Sequence, residues 1–327
     1  MLTHKPSPGS SIGTGDIIMV FVMGAAIAEA ILFLIWRMVR KMRIKNEWER
    51  PLDVFLVFCG SHRIAVIIIS LLVLFLLTLV GVYWVQDKML FYPDDGIFDG
   101  AELENDDEVS TFLLEKKYHG FYKQNGARIL LVFYGGNAQS GASAMKVFRR
   151  IGNRNLFSDI DIITVDYPGY GRSEGAPSQQ SFFEMADAVN RYALSLSEYQ
   201  KVYVMGYSIG TGVAVYSAAS YSFDGIILLA PYDNMTNVFN SKLPVFYGPL
   251  ARLVKNPFPS DSYASNVKTK TLILYSTKDE IIPARLSRNL IQTIAGDKEV
   301  IEFKNFTHSE MIVEKEVYEK VSEFIHK

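Results

Sequence analysis

Two long apolar runs occupy the first quarter of the chain. Residues 17–36 form a 20-residue run in which Glu29 is the one charged side chain, and residues 64–85 form a 22-residue run without any charge. At a rise of about 1.5 Å per helical residue, each run is long enough to cross a hydrocarbon core of about 30 Å. A helix in the core of a soluble domain would show a polar face, and the second run has none. The pattern therefore predicts a two-span membrane anchor over residues 17–85.

Charged residues around these runs predict their orientation. The stretch between the runs is rich in lysine and arginine, whereas only Lys5 precedes the first run. Because basic loops stay on the cytoplasmic side, we expect residues 1–16 and the C-terminal region to be extracytoplasmic. The basic loop either only sets this topology or also contacts anionic membrane lipids. Glu29 would cost about 2.5 to 3.5 kcal/mol in lipid. We expect it to face the partner helix beside Gly24 and Ala28, as a packed side chain or a proton relay.

A different pattern begins near residue 108. Residues 86–107 form an acidic linker, after which short β-branched runs alternate with longer amphipathic stretches up to residue 327. This alternation predicts an α/β domain, with a mostly parallel sheet flanked by helices. The predicted strands are residues 128–134, 161–166, 201–205, 225–230, 271–276 and 299–304. The predicted helices are residues 138–151, 181–195, 209–220, 283–295 and 310–326, and we expect a cap at about 234–266 with a short apolar helix over residues 245–254.

The composition excludes several classes of protein. The chain is 49% hydrophobic and 21% charged, with a net charge of −2. A nucleic-acid binder would carry excess positive charge, and a disordered chain would be poor in apolar residues. The single cysteine, Cys59, cannot form an intramolecular disulfide, and no Cys and His cluster has zinc spacing. We therefore expect no nucleic-acid partner, no metal and no organic cofactor.

A G-x-S-x-G motif lies between the third predicted strand and the helix that follows it. It spans residues 206–210, with Ser208 at its centre. A sharp strand-to-helix turn that exposes a serine hydroxyl needs neighbours without bulk, and the helix N-terminus favours developing negative charge. The motif in this context predicts that Ser208 is a nucleophile.

A nucleophilic serine requires a base and an acid, which follow it along the chain in this fold in the order Asp or Glu, then His. Two histidines follow Ser208: His326 is penultimate in a terminal helix, whereas His308 lies in a loop after the last predicted strand. We expect His308 to be the base. Asp279, directly after the strand at 271–276, is the expected acid, and Asp233 after the preceding strand is the alternative.

With these motifs the chain resembles the α/β-hydrolases, and most closely the membrane-anchored serine hydrolases of that superfamily that have an N-terminal anchor and a small cap. Residues 86–93 resemble the segment that follows the anchor in those proteins, and residues 166–175 match their glycine-rich loop. The resemblance implies that Asp166 and Arg172 brace the site. Their oxyanion loop usually begins His-Gly, and here Tyr134 stands in place of the histidine. The resemblance implies that a backbone N–H of Gly136 or Asn137 pairs with that of Ile209, with the register left open.

These observations lead to one functional hypothesis and two alternatives. We expect a membrane-anchored serine hydrolase that cleaves an ester or thioester, of lipid origin given the anchor, through an acyl-enzyme on Ser208. A serine peptidase would use the same residues. A membrane-anchored binding module without activity is the alternative from another class, since a fold does not by itself define chemistry. The sequence leaves the natural substrate and the oligomeric state open.

Overall fold

The computed structural model describes residues 63–93, 103, 108–152 and 156–327. The first predicted span, nearly all of the basic loop, Cys59 and most of the predicted linker lie outside these residues. The chain divides into two compact units between Gln86 and Asp87.

The first described element is the apolar helix α1, Arg63–Leu90, which contains the second predicted span. Its stretch Ile67–Lys88 is long and apolar enough to cross a membrane, and most of its large apolar side chains, Leu71 and Leu77 among them, are exposed. Among the described residues this is the one helix with these properties.

The second unit is built on an eight-stranded sheet with the strand order β1-β2-β4-β3-β5-β6-β7-β8. Strands β1 and β2 form an antiparallel hairpin that joins β4 antiparallel, and all other pairs are parallel. The strands are β1 Val109–Leu114, β2 Tyr118–Lys123, β3 Ile129–Tyr134, β4 Ile160–Val165, β5 Lys201–Tyr207, β6 Gly225–Leu229, β7 Thr271–Ser276 and β8 Lys298–Phe303. The six predicted strands are all present, and the hairpin is an addition that the sequence did not predict.

Helices connect the parallel strands. They are α2 Gly141–Gly152, α3 Gln179–Ser195, α4 Ile209–Ser220, α5 Met235–Lys242, α6 Ser260–Ala264, α7 Ala284–Thr293, α8 His308–Met311 and α9 Lys315–Ile325. Two predictions are corrected. The stretch 245–254 contains a 3₁₀ helix, Gly248–Leu253, because Gly248 has φ +53° and Pro249 cannot donate a helical hydrogen bond. The last predicted helix is two helices, since α8 ends at Met311 before α9 begins.

The hydrophobic core lies on both faces of the sheet. Alternate residues of each central strand point to opposite sides, so Leu130 joins one buried cluster and Leu131 joins the other. Helices α3, α4 and α7 cover the first face, and α2 and α9 cover the second. Parallel strands buried on both faces end at one edge of the sheet, where loops can carry reactive side chains.

Candidate active site

Ser208 occupies a tight turn between β5 and α4. Its backbone is strained, with φ +54° and ψ −123°. The two flanking glycines are required sterically: a Cβ on Gly206 would lie 2.3 Å from the Gly210 oxygen, and one on Gly210 would lie 2.2 Å from the Tyr134 oxygen. Strain of this kind persists only where the surrounding structure holds the backbone in place. The turn raises the serine hydroxyl above the sheet edge.

The structure brings Ser208, His308 and Asp279 together at this edge. The distance between Ser208 Oγ and His308 Nε2 is 2.9 Å, and that between His308 Nδ1 and Asp279 Oδ2 is 2.7 Å. The second carboxylate oxygen of Asp279 accepts hydrogen bonds from the N–H groups of Ile281 at 2.9 Å and Ile282 at 2.7 Å. These two bonds orient the carboxylate toward the imidazole. The arrangement can move a proton from the serine to the histidine while the aspartate fixes the ring.

Other contacts hold the imidazole of His308 in place. The Tyr207 hydroxyl donates to the His308 carbonyl at 2.9 Å, and the two rings stack with centroids 5.2 Å apart. Burial raises the pKa of Tyr207, so its hydroxyl remains a neutral donor. The carboxylate of Glu280 accepts a hydrogen bond from the His308 N–H at 3.1 Å. The sequence did not single out Tyr207, because it occupies a variable position of the G-x-S-x-G motif.

A capping box begins α8 at the histidine. Both the N–H and the hydroxyl of Thr307 donate to the Glu310 carboxylate at 2.7 Å. These hydrogen bonds lower the pKa of Glu310, which keeps the carboxylate charged at neutral pH. The box fixes the backbone from which His308 projects.

The alternative acid and base bind other partners. Asp233 is buried, and one of its oxygens accepts hydrogen bonds from the side-chain amides of Asn237 at 2.8 Å and Asn289 at 2.9 Å. His326 pairs with Asp159 at 2.8 Å on the surface, with 39% of its side chain exposed. Neither is hydrogen-bonded to Ser208 or His308. The geometry therefore favours Asp279 and His308.

The loop after β3 packs against the serine turn. A Cβ on Gly136 would lie 2.7 Å from the Tyr207 ring and 3.5 Å from the Ser208 Cβ. The N–H of Gly136, one of the two expected oxyanion donors, instead donates to the side chain of Gln139 at 2.9 Å. Among the residues that the structure describes, the N–H groups of Asn137 and Ile209 have no hydrogen-bond acceptor. The geometry thus favours Asn137 over Gly136 as the partner of Ile209.

Residues of the glycine-rich loop brace this edge of the sheet. Asp166, 1% exposed, accepts hydrogen bonds from the N–H groups of Gly141 at 2.7 Å and Arg172 at 3.0 Å. A Cβ on Gly171 would lie 2.4 Å from this carboxylate, so the loop closes tightly around it. Tyr134 lies below the site, where its buried hydroxyl donates to Asn190 at 2.6 Å. Within the described residues no cluster of His, Cys, Asp and Glu is placed to hold a metal ion.

Comparisons with known proteins agree with this architecture. The profile of the alpha/beta hydrolase fold matches residues 128–265. An uncharacterized protein of Mycobacterium tuberculosis is 26% identical over 176 residues, which cover 53% of this chain and 61% of that protein. Alpha/beta hydrolase domain-containing protein 17B of Xenopus laevis is 25% identical over 204 residues, covering 61% of this chain and 67% of that protein. Acetyl xylan esterase from Paenibacillus sp. R4 superposes with a TM-score of 0.53 at 15% identity, over 74% of this chain and 98% of the esterase. The chain has an α/β-hydrolase fold with a mostly parallel sheet flanked by helices.

Proposed function

We propose that this protein is a serine hydrolase in which Ser208, His308 and Asp279 form the catalytic triad. The observation that carries the proposal is the continuous hydrogen-bond chain from the Asp279 carboxylate through the imidazole to the Ser208 hydroxyl, with distances of 2.7 and 2.9 Å. A solvated serine is a weak nucleophile, and an adjacent oriented base activates it.

In the proposed reaction, Ser208 Oγ attacks the carbonyl carbon of an ester or thioester while His308 Nε2 takes the hydroxyl proton. Asp279 stabilises the imidazolium through the Nδ1–H. The N–H groups of Asn137 and Ile209 stabilise the oxyanion, and loss of one such donor costs about 2.7 to 4 kcal/mol. The imidazolium then protonates the leaving group. Water attacks the acyl-enzyme with His308 again as the base, which releases the acid and restores the serine.

An acyl substrate of lipid origin agrees with the surroundings of the site. Leu243 and Ile281 are 47% and 45% exposed, and they lie on neighbouring segments because Lys242 donates to the Glu280 carbonyl at 2.5 Å. Exposed apolar side chains near a reactive serine favour contact with an aliphatic acyl chain. We propose that α1 anchors the protein in a membrane, from which such a substrate would come.

A fluorophosphonate probe tests the chemistry. Membranes that contain the full chain should label at one site, and Ser208→Ala should abolish the labelling. Ser262→Ala is a matched control, because this serine is exposed and bonded to Asp261. Absence of labelling in the unaltered protein would refute the hydrolase and favour a binding module. A parallel assay on ester, thioester and amide substrates of one acyl group decides between an esterase, a thioesterase and a peptidase.

The proposed topology has its own test. Cys59 is the single cysteine of the chain and precedes α1. An impermeant thiol reagent should label this cysteine only after the membrane has been opened. An external protease should digest the catalytic domain while this membrane is still intact, once any outer barrier has been removed. Digestion only from the cytoplasmic side would overturn the proposed orientation.

A further inference from the structure

The side chain of Asn137 connects the loop after β3 to the last residue of the apolar helix and to the residues that follow it. Its Nδ2 donates to the Leu90 carbonyl at 2.7 Å, and its Oδ1 accepts from the Tyr92 N–H at 3.0 Å and from the Tyr170 hydroxyl at 2.8 Å. The Tyr92 N–H also contacts the Tyr170 hydroxyl at 3.1 Å. We call this group of four the clamp: the Asn137 side chain, the Leu90 carbonyl, the Tyr92 N–H and the Tyr170 hydroxyl.

The clamp rests on buried structure. Tyr170 is 1% exposed, and its ring packs edge-to-face on Phe182 with centroids 6.0 Å apart. Burial raises the pKa of Tyr170, so its hydroxyl remains protonated and can donate to Asn137. Phe91, between the two clamped backbone groups, is 3% exposed and also packs on Phe182, at 5.3 Å. The clamped segment is therefore fixed to the core of the catalytic domain.

The start of the same segment is fixed separately. One carboxylate oxygen of Asp87 accepts from Lys255 Nζ at 2.9 Å, and the other accepts from the side-chain amide of Asn256 at 2.9 Å. Asn256 is buried, and its own oxygen accepts the N–H of Gln179 at 2.8 Å. Residues 87–92 are thus held at their beginning by the end of the cap region and at their end by the oxyanion loop.

The loop needs such support because its backbone is strained at the next residue. Ala138 has φ +57°, a left-handed conformation that residues other than glycine rarely adopt, and its N–H also contacts Asn137 Oδ1, at 3.1 Å. Strained conformations relax unless the surrounding contacts hold them. Removing the clamp while keeping the Asn137 backbone should therefore let the N–H of Asn137 shift away from the place where it would bind the oxyanion.

We propose that the clamp positions the Asn137 N–H for oxyanion stabilisation. Residues 87–92 would then contribute to catalysis and would not serve only as a connection between the apolar helix and the domain. This inference rests on the proposed hydrolase function. It assigns Asn137 two parts: its backbone would bind the oxyanion, and its side chain would position that backbone. Leu90 and Tyr92 would act through Asn137 and would not touch the substrate.

Two tyrosine variants of the full chain in detergent test the proposal. Tyr170→Phe removes one hydroxyl from the clamp, whereas Tyr221→Phe removes a hydroxyl outside the clamp, which donates to Asp187 at 3.0 Å. Because loss of an oxyanion donor costs about 10²- to 10³-fold in kcat, partial misplacement in Tyr170→Phe should lower kcat about tenfold with KM nearly unchanged. Asn137→Ala, which keeps the N–H but loses every side-chain bond, should lower kcat further. Tyr221→Phe should match the unaltered protein.

A trifluoromethyl ketone gives the readout that separates positioning from stability. It forms a charged adduct with the serine, so its inhibition constant should rise by the same factor by which kcat falls in each clamp variant. If Tyr170→Phe and Asn137→Ala keep both values within twofold of an active unaltered protein, the clamp inference is wrong and the hydrolase stands. If they lose only thermal stability, the clamp is structural and the inference is again wrong. If the unaltered protein itself neither hydrolyses esters nor labels, the proposed function fails and this inference fails with it.

Discussion

Gly210→Ala should impair catalysis by displacing the oxyanion loop from the serine turn. Gly210 is the second residue of α4, where the backbone at the end of β3 passes close to it. An added Cβ would lie 2.2 Å from the Tyr134 carbonyl oxygen and 2.5 Å from the Gly135 carbonyl oxygen. Both neighbours are backbone atoms, which cannot rotate away as a side chain would.

The size of the effect follows from these distances. To reach the 3.0 Å below which Cβ contacts are essentially never observed, the loop and the helix must separate by about 0.8 Å. A misplacement near 1 Å can reduce catalysis about 10²-fold, which corresponds to about 2.7 kcal/mol in the transition state. The added methyl group should also cost about 1 to 3 kcal/mol in the free energy of unfolding, as overpacking of a core does.

The assay is hydrolysis of a p-nitrophenyl ester by the full chain in detergent, with thermal unfolding followed by circular dichroism. Gly81→Ala is the matched control, because a Cβ at that glycine meets no atom within 4 Å. We expect kcat/KM to fall about 10²-fold for Gly210→Ala and to stay unchanged for the control. A Gly210→Ala protein that unfolds at the original temperature with kcat/KM within twofold would refute the close approach of loop and turn.

Three further predictions concern the ionisable and hydroxyl side chains. Asp279→Asn should lower kcat by about 10⁴-fold. Asp233→Asn should leave the kcat of the folded protein unchanged but lower its free energy of unfolding by about 1 to 3 kcal/mol, because the new amide would face amide donors. Equal losses of kcat in the two variants would contradict the assignment of Asp279. Tyr207→Phe should lower kcat/KM about fivefold, equivalent to about 1 kcal/mol for the lost hydrogen bond to the His308 carbonyl. Michaelis–Menten kinetics would measure this change. Burial is the largest single influence on the pKa of His326 and lowers it, but the hydrogen bonds to Asp159 and to the Ser322 carbonyl, together with the charge of Asp159, raise it by more in sum, so the net shift is upward. Its stabilisation is thus complete below the unfolded pKa of about 6.5 and is lost as pH rises through the folded pKa. His326→Gln should therefore lower the melting temperature more at pH 5.5 than at pH 9, and the same loss at both pH values would contradict the pairing.

The parallel part of the fold was predictable because each buried strand is a short apolar run between amphipathic helices. The β1–β2 hairpin was not, since its turn uses Glu115 and Lys116 at φ +50° and +59° rather than the glycine or asparagine that usually marks such turns. The helix predicted over residues 245–254 is present as a shorter 3₁₀ helix, Gly248–Leu253. Hydropathy alone suggests an α-helix there, but Gly248 and Pro249 set the backbone.

The triad residues could be proposed from sequence because the two glycines restrict the turn and few histidines follow it. The choice between Asp279 and Asp233 could be ranked but not decided, because both follow parallel strands at one edge and only their hydrogen bonds distinguish them. The oxyanion register depends on Gln139, whose side chain occupies the Gly136 N–H. No local pattern reveals that a side chain three residues away competes for this donor.

The sequence separation of the triad has a consequence for biosynthesis. Ser208 and His308 are 100 residues apart, and the histidine follows β8, the last strand of the sheet. At about 5 to 20 residues per second, the ribosome adds the histidine about 5 to 20 s after the serine. During that interval the serine lacks the histidine that is proposed as its base. Under the proposed function, the growing polypeptide would therefore gain its activity only after His308 has been added.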